Sequence, residues 1–393
     1  MKRQFILRAW GTRDFELDSR TAAALQASGL VRCELGARPG EYRLRADSYV
    51  GVASGTDWEL RIDSHLDVSR LLFLLCYARD PTGWRETIAG FERDDDLLSS
   101  IAAGFASAAE RALRGGVLRG YQRIEERTPV LRGRMQVSRQ VARGGLATPV
   151  DVARDEYTED IAENQMLLAA ADSLGRLALT PPQTRRRLRR VMNSLDGASV
   201  AAGRQPRPVP RITRLNAHYR SALVLADIVL RQKSLDSRAG EVQSATFAFE
   251  LHRVFEQFLF TAFRARATPQ GVEVREQASG RYLDRERLLH LRPDFVFKRG
   301  GQCVAVADAK FKRLEGRLAG DAYQMLAYLL EFGPARGFLI SAEGAVSGHA
   351  VLSAEKQIEV RPIDLALSPD QILGRVDELF GELSGAHGAE IHD

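Results

Sequence analysis

The spacing of hydrophobic residues changes along the chain. Up to about residue 66, apolar residues come in short runs bounded by turn residues, as is typical of β-strands. These predicted strands are residues 5–9, 42–46, 49–53 and 58–62. Helical spacing predominates between residues 67 and 123 and again between 158 and 235, while residues 128–139 are predicted to be extended. Helices are predicted over residues 21–27, 67–77, 97–123 with a break at Gly115-Gly116, 163–179, 182–193 and 216–233.

The C-terminal part mixes both periods. Its predicted elements are a helix over 247–259, strands over 295–297 and 303–307, a helix over 321–330, strands over 337–341, 350–352 and 358–363, and a helix over 369–383. The overall pattern predicts an α/β (α+β overall) fold in three parts. We expect an N-terminal mixed β/α domain (1–150), a helical connecting region (151–240) and a C-terminal domain (241–393) with a central mixed sheet flanked by helices.

One predicted hairpin, formed by residues 295–297 and 303–307 around a Gly-Gly turn, carries candidate chemistry. Asp294 opens its first strand, while Asp308 and Lys310 close the second, separated by Ala309. Since side chains alternate along a strand, Asp308 and Lys310 project together. Pairing across the turn would bring Asp294 near Asp308. The alternative is a plain hairpin with polar residues at its strand ends. The tripeptide Asp308-Ala309-Lys310 alone does not distinguish an active site from such a hairpin.

Two carboxylates beside an ammonium suit phosphodiester hydrolysis. Mg²⁺ prefers oxygen ligands and needs few of them from the protein, with Mn²⁺ a possible substitute. Asp294 and Asp308 would bind the metal, and Lys310 would stabilise developing negative charge or orient the attacking water. Only six of the 56 basic residues are Lys. A compact ammonium at this position is therefore more informative than another Arg would be.

The flanking helices add two candidates. Glu256, on the predicted helix before the hairpin, would be a third metal carboxylate that acts through a bridging water. Gln324 is polar in the first turn of the helix that follows. His252 lies four residues before Glu256 and hence on the same side of the helix, where packing or hydrogen bonding is favoured over a metal role. The order helix, hairpin, helix, strand is that of the PD-(D/E)xK nucleases. With this order the nuclease interpretation is favoured over the plain hairpin.

Composition narrows the class of protein. The net charge of +5 and a pI near 9.2 are compatible with a nucleic-acid partner. The densest basic run, residues 185–190, could bind phosphates, although a solvated helix face is favoured. Cys33, Cys76 and Cys303 are far apart in sequence and predict a reducing compartment. Without a signal-peptide pattern, and with no apolar run long enough to span a bilayer, we expect a cytoplasmic protein.

The chain contains no Gly-x-x-x-x-Gly-Lys-Ser/Thr loop and no Gly-Lys pair. By that route it cannot be a nucleotide-driven motor. If its function requires translocation along DNA, another chain must supply the motor.

Several segments resemble the McrC family, the nuclease subunit of modification-dependent restriction systems. They are Leu131-Arg132-Gly133-Arg134, the acidic run 155–160 followed by Glu163-Asn164-Gln165, and the strand pair Tyr49-Val50-Gly51-Val52 and Leu60-Arg61-Ile62. The likeness extends over most of residues 40–365 and is strongest over 247–330. One departure is Asp63-Ser64-His65, where family members often have Pro-Lys, and this affects the expected N-terminal partner contacts.

The resemblance implies a site, a partner and a substrate. Asp294, Asp308 and Lys310 would be the nuclease triad, with Glu256 the helix carboxylate and Gln324 the accessory glutamine. It further implies an McrB-like AAA+ GTPase partner, whose GTP hydrolysis this chain would stimulate, and double-stranded methylated DNA as substrate. Residues 1–150 would bind the partner, and the system would serve antiviral defence.

Two other functions remain open from the sequence. One is a non-catalytic regulatory or DNA-binding subunit that activates a partner NTPase, which the intact Asp, Asp and Lys disfavour. The other is a DNA-repair or transposon-end nuclease of the same fold, because fold alone does not fix function.

Overall fold

The computed structural model describes residues 2–89, 91, 96–142, 148–177, 179–199, 210–232, 245–278, 280–311, 318–343, 347–351 and 355–385. The predicted helix and strand positions at 178, 233 and 352 lie outside these ranges. Of the helices in the described ranges, none combines the length and apolar character needed to cross a bilayer.

The chain forms two compact units. The first joins residues 1–88 and 93–97 with residues 238–393, and the second contains residues 89–92 and 98–237. The predicted domains were assigned by role, with partner binding in residues 1–150 and the nuclease in residues 241–393. This assignment of roles stays a prediction.

The N-terminal part of the first unit is built on short strands. Its elements are β1 (Arg3–Arg8), β2 (Thr12–Glu16), α1 (Ser19–Ala27), β3 (Val31–Leu35), β4 (Glu41–Ala46), β5 (Tyr49–Ser54), β6 (Trp58–Asp63), α2 (Val68–Arg79) and α3 (Trp84–Ile88). Strands β2, β4 and β3 form an antiparallel sheet in that order. The predicted strands and both predicted helices of this region are confirmed.

The second unit is not purely helical. Its elements are α4 (Leu97–Leu113), β7 (Gly120–Thr128), β8 (Arg134–Met135), α5 (Val137–Val141), β9 (Val150–Thr158), α6 (Ala162–Arg176), α7 (Pro182–Ser194), a 3-10 turn (Ala217–Tyr219) and α8 (Arg220–Gln232). The prediction of helix up to residue 123 is wrong, because residues 120–128 pair with β9 along their full length. In the basic run, Arg187 is bonded to Glu110 while Arg186 and Arg189 are exposed.

The first unit resumes at residue 245. Its remaining elements are β10 (Ala245–Glu250), α9 (Leu251–Ala267), a 3-10 turn (Thr268–Gln270), β11 (Val272–Glu276), β12 (Arg281–Tyr282), β13 (His290–Leu291), β14 (Phe295–Arg299), β15 (Gln302–Lys310), α10 (Leu318–Phe332), β16 (Arg336–Ser341), β17 (Ser347–Val351), β18 (Lys356–Pro362) and α11 (Pro369–Leu383). The order β11-β14-β15-β16-β18-β17 forms a mixed six-stranded sheet. This confirms the central mixed sheet of the predicted fold class.

Side-chain alternation places helices on both faces of this sheet. Val296 and Val306 belong to a buried cluster with Met325 and Leu329 of α10. On the other face, Phe263 of α9 meets Phe295 edge-on at 5.6 Å, and its other ring contacts are with Phe297 and, from α11, Phe380. Both apolar sets come from the period-two pattern of the hairpin strands.

The helix predicted over residues 247–259 begins only at Leu251. Residues 245–250 instead form β10, antiparallel to β5 in the sheet β1-β6-β5-β10. Phe247 and Phe249 are buried and two positions apart, a spacing that fits strand alternation and not one face of a helix. Pairing with β5 completes this strand, and it joins the N-terminal strands to the part of the first unit that resumes at residue 245.

Candidate functional site

The β14–β15 hairpin brings the predicted acidic residues together. Phe295 pairs with Ala307, so Asp294 lies opposite Asp308 one position further along the ladder. The Ala309 amide donates a hydrogen bond of 2.8 Å to Asp294 Oδ2. Asp308 is 4% exposed, and its carboxylate forms an ion pair with the Lys310 ammonium. The expected projection of Asp308 and Lys310 to one side is therefore observed.

Helix α10 holds Lys310 from the other side. Lys310 Nζ lies 3.4 Å from Asp321 Oδ1 and donates a 3.4 Å hydrogen bond to Gln324 Oε1. The Gln324 amide nitrogen donates to the Tyr328 hydroxyl at 2.8 Å, and that hydroxyl donates to the Arg292 carbonyl at 3.2 Å. Tyr328 thus fixes which end of the amide faces Lys310.

Glu256, from α9, shares the electrostatic environment of the hairpin acids. Burial, together with repulsion from Asp308 and Glu256, raises the pKa of Asp294 to about 8. Burial and the charge of Asp308 raise the pKa of Glu256 to about 7. Burial also raises the pKa of Asp308, although Lys310 opposes it. Mutual repulsion among these acids opposes their simultaneous ionisation, and a bound cation would offset it.

All five predicted residues line one cavity of about 540 Å³, within the range of natural ligand sites. Its lining residues are Trp10, Asp47, Ser48, Tyr49, Glu250, His252, Glu256, Arg292, Asp294, Asp308, Ala309, Lys310, Phe311 and Gln324. The lining includes five carboxyl groups and two fixed cations, Arg292 and Lys310.

The sequence interpretation missed the N-terminal contribution to this cavity. Trp10, Asp47, Ser48 and Tyr49 reach it because β5 pairs with β10, a contact across roughly two hundred residues that no local period reports. One of them, Trp10, could have been identified from the sequence, because a tryptophan followed by Gly11 stands at the end of the predicted strand 5–9, where a turn is expected.

His252 has the structural role that was favoured for it. Its Nδ1 lies 3.1 Å from the Ser48 hydroxyl, and its Nε2 lies 3.3 Å from Glu250 Oε1. Burial lowers its pKa, against the charge of Glu250. A neutral imidazole that links α9 to the start of β5 fits these contacts.

The donor set fits a hard divalent cation. Carboxylate oxygens are the ligands that Mg²⁺ and Mn²⁺ prefer, and a cation would relieve the mutual repulsion that raises the pKa values of Asp294 and Glu256. Within the described ranges, no group of three or more His, Cys, Asp or Glu side chains is already arranged to hold a metal ion. Two direct carboxylates with water completing the shell remain compatible with this arrangement.

Comparison with known proteins gave a family and a fold. A model of the McrBC 5-methylcytosine restriction system component matches residues 44–341, which include all five predicted site residues. No curated protein sequence gave a match. A chain in the Thermococcus gammatolerans half-complex of McrB AAA+ hexamers with bound McrC is 16% identical with a TM-score of 0.55, over 96% of this chain and 100% of that one. At this identity the likeness shows the fold alone.

A second solved structure, the McrBC complex of the same organism, is 18% identical over 71% of this chain and 90% of that one. Its TM-score of 0.39 is too low to carry an argument.

Proposed function

Because the chain belongs to the McrBC family of 5-methylcytosine restriction system components, we propose that it is the metal-dependent DNA endonuclease subunit of such a system. One observation carries the proposal. Glu256, Asp294, Asp308, Lys310 and Gln324, which come from a helix, a hairpin and a second helix, line a single cavity. The order α9, β14–β15, α10, β16 supports a PD-(D/E)xK nuclease fold.

Each residue has a defined role in the proposed reaction. Asp294 and Asp308 would hold Mg²⁺, and Glu256 would be a third carboxylate acting on it. When bound, Mg²⁺ neutralises the phosphate and lowers the pKa of the attacking water. Lys310 places a positive charge where negative charge develops on the phosphate. Gln324 positions the Lys310 ammonium, and the Tyr328 hydroxyl orients the Gln324 amide.

The proposal includes a motor subunit. The chain lacks a phosphate-binding Gly-Lys loop, and the similar fold above comes from an assembly of McrB AAA+ hexamers with bound McrC. We propose that an McrB-like AAA+ GTPase moves DNA to this chain, that this chain stimulates its GTP hydrolysis, and that the GTPase selects methylated DNA. The cleaved substrate is double-stranded DNA, and the compartment is the cytoplasm.

A paired substitution tests the catalytic role. Lys310→Ala should lower the rate of DNA cleavage by the complex with its GTPase by about 10²- to 10³-fold, as is typical when one transition-state donor is removed. Lys298→Ala is the matched control, because Lys298 lies on β14 of the same hairpin and lines a different cavity. Cleavage is measured at saturating Mg²⁺ and GTP.

The control should cleave at the wild-type rate. Equal cleavage by the Lys310→Ala and Lys298→Ala variants would show that this cavity does not catalyse the reaction.

A further inference from the structure

An aromatic pair lies beside the acidic cluster. Trp10 stacks on Phe311 with ring centroids 5.5 Å apart and planes inclined by 17°. Phe311 directly follows Lys310, and its ring is held edge-on by Phe255 at 5.8 Å. Trp10 and Phe311 both line the cavity that contains Asp294. We call the stacked rings of Trp10 and Phe311 the aromatic shelf.

The backbone at Trp10 is strained. Its φ of 58° lies in the left-handed region, which a bulky side chain rarely adopts and which Gly would occupy at no steric cost. Hydrogen bonds hold the turn in place: Trp10 N–H to the Asp47 carbonyl at 3.1 Å, Gly11 N–H to the Arg8 carbonyl at 2.8 Å, and Ala46 N–H to the Gly11 carbonyl at 2.9 Å. Strain maintained in this way is characteristic of functional sites.

Trp10 is also unusually exposed. It is 42% accessible, whereas Trp58 and Trp84 are 5% and 7% accessible. These three are all the tryptophans of the chain. A large ring that packing alone would bury is therefore presented at the cavity.

The charge of the cavity limits what the shelf can bind. The lining has only two cations beside five carboxyl groups, so it is not a basic groove that could hold a DNA strand by its phosphates alone. The shelf offers an uncharged π-face next to the residues that would act on phosphate. Aromatic faces stack bases of any sequence.

We propose that the aromatic shelf stacks a nucleobase of the DNA strand being cut, and this rests on the proposed nuclease function. The base next to the scissile phosphate leaves the duplex stack and lies against Trp10. The scissile phosphate is thereby positioned over Asp294, Asp308 and Lys310. Cleavage then favours sites where the strand is already unpaired, since less unstacking energy is required.

Substitutions at Trp10 separate stacking from apolar packing. Trp10→Leu keeps an apolar cover over Phe311 and the same strained backbone but removes the π-face, while Trp10→Tyr restores a π-face. Trp10→Leu should lower kcat/KM for DNA cleavage by the GTPase complex by about 5- to 150-fold, the range that base–aromatic stacking contributes. Trp10→Tyr should recover most of that loss. Tyr323→Leu is the control, because Tyr323 is 73% exposed on α10 and is not among the cavity lining.

Fluorescence gives a readout that does not depend on catalysis. In the full chain carrying Lys310→Ala, so that DNA stays uncut, Mg²⁺ and a short DNA with an unpaired segment should quench tryptophan emission. Trp58 and Trp84 are buried, so any quenching by DNA is expected at Trp10. The Lys310→Ala/Trp10→Tyr protein should therefore show no quenching.

Absence of quenching at DNA saturation, or equal cleavage by the Trp10→Leu and wild-type proteins, would overturn the proposal that the aromatic shelf stacks a base. Quenching that depends on Trp10 while Lys310→Ala still cleaves would instead support the shelf and contradict the nuclease assignment of Lys310.

Discussion

In the metal-free protein, the ionised form of the Asp294 carboxyl group is unfavourable. Burial and the neighbouring charges of Asp308 and Glu256 raise its pKa to about 8, against a usual value of 3.8. Its Oδ2 accepts the Ala309 N–H, so a neutral amide could replace the carboxylate without loss of that bond. The carboxylate is therefore explained by chemistry at the cavity and not by stability of the hairpin.

Asp294→Asn should stabilise the metal-free protein at high pH. The folded chain binds more protons than the unfolded chain between about pH 4 and pH 8, so wild-type stability falls as the pH rises through this window. The variant escapes that loss. Its free energy of unfolding in EDTA should exceed that of the wild type by about 1–3 kcal/mol at pH 8.5, and the difference should vanish near pH 4.

Denaturant unfolding at the two pH values measures this difference. Mg²⁺ at saturation should raise the melting temperature of the wild type and have a smaller effect on the variant. A variant less stable than the wild type at pH 8.5 would contradict the assigned environment of Asp294.

At the scale of elements, the pairing of β5 with β10 positions the N-terminal side of the cavity. Gly51 makes this pairing possible. Its φ is +146°, and a Cβ there would lie 2.2 Å from the Phe247 carbonyl oxygen. Strand β10 leads directly into α9, which carries Glu256, so the close approach of two backbones also places a site residue.

Gly51→Ala should lower the free energy of unfolding by about 2 kcal/mol or more, because the added methyl group forces β5 and β10 apart. Cleavage should fall as well, since α9 shifts with β10. The control is Gly374→Ala in α11, where nothing lies within 4 Å of an added Cβ and a gain of about 0.5–1 kcal/mol is expected. Denaturant titration compares them, and equal stability of the two variants would refute the role of Gly51.

Local patterns predicted the hairpin well, because its strands alternate, its turn is Gly300-Gly301, and three of the site residues lie within seventeen positions of one another. The terminal helix Pro369–Leu383 was also predicted to the residue, from its proline start and regular apolar spacing. What the sequence did not reveal depends on distant partners. In residues 120–128 the apolar Tyr121 and Ile124 are three positions apart, as on a helix face, and pairing with β9 makes the segment a strand. Residues 245–250 do alternate, but they run directly into α9, so the boundary between strand and helix is not marked in the sequence.

At the scale of the whole molecule, the candidate site is assembled from both ends of the first unit. Residues 10 and 47–49 and residues 250–324 line the same cavity, although the second unit separates them in sequence. A cut at residue 150 would remove the strand that β10 pairs with. Point substitutions therefore test the roles of the two halves more cleanly than truncation does.

The central claim is that the carboxylates of this cavity cut DNA in a complex driven by another subunit. Asp308→Asn tests it most directly, with DNA cleavage and GTP hydrolysis measured in the same sample of the chain with the proposed AAA+ GTPase. GTP hydrolysis reports folding and assembly independently of the cavity.

We predict that cleavage by the Asp308→Asn complex falls by at least about 10²-fold while GTP hydrolysis stays at the wild-type rate, because the substitution removes the carboxylate proposed to hold the metal and is confined to a buried position of the cavity. Cleavage at the wild-type rate in a sample with normal GTP hydrolysis would contradict the account.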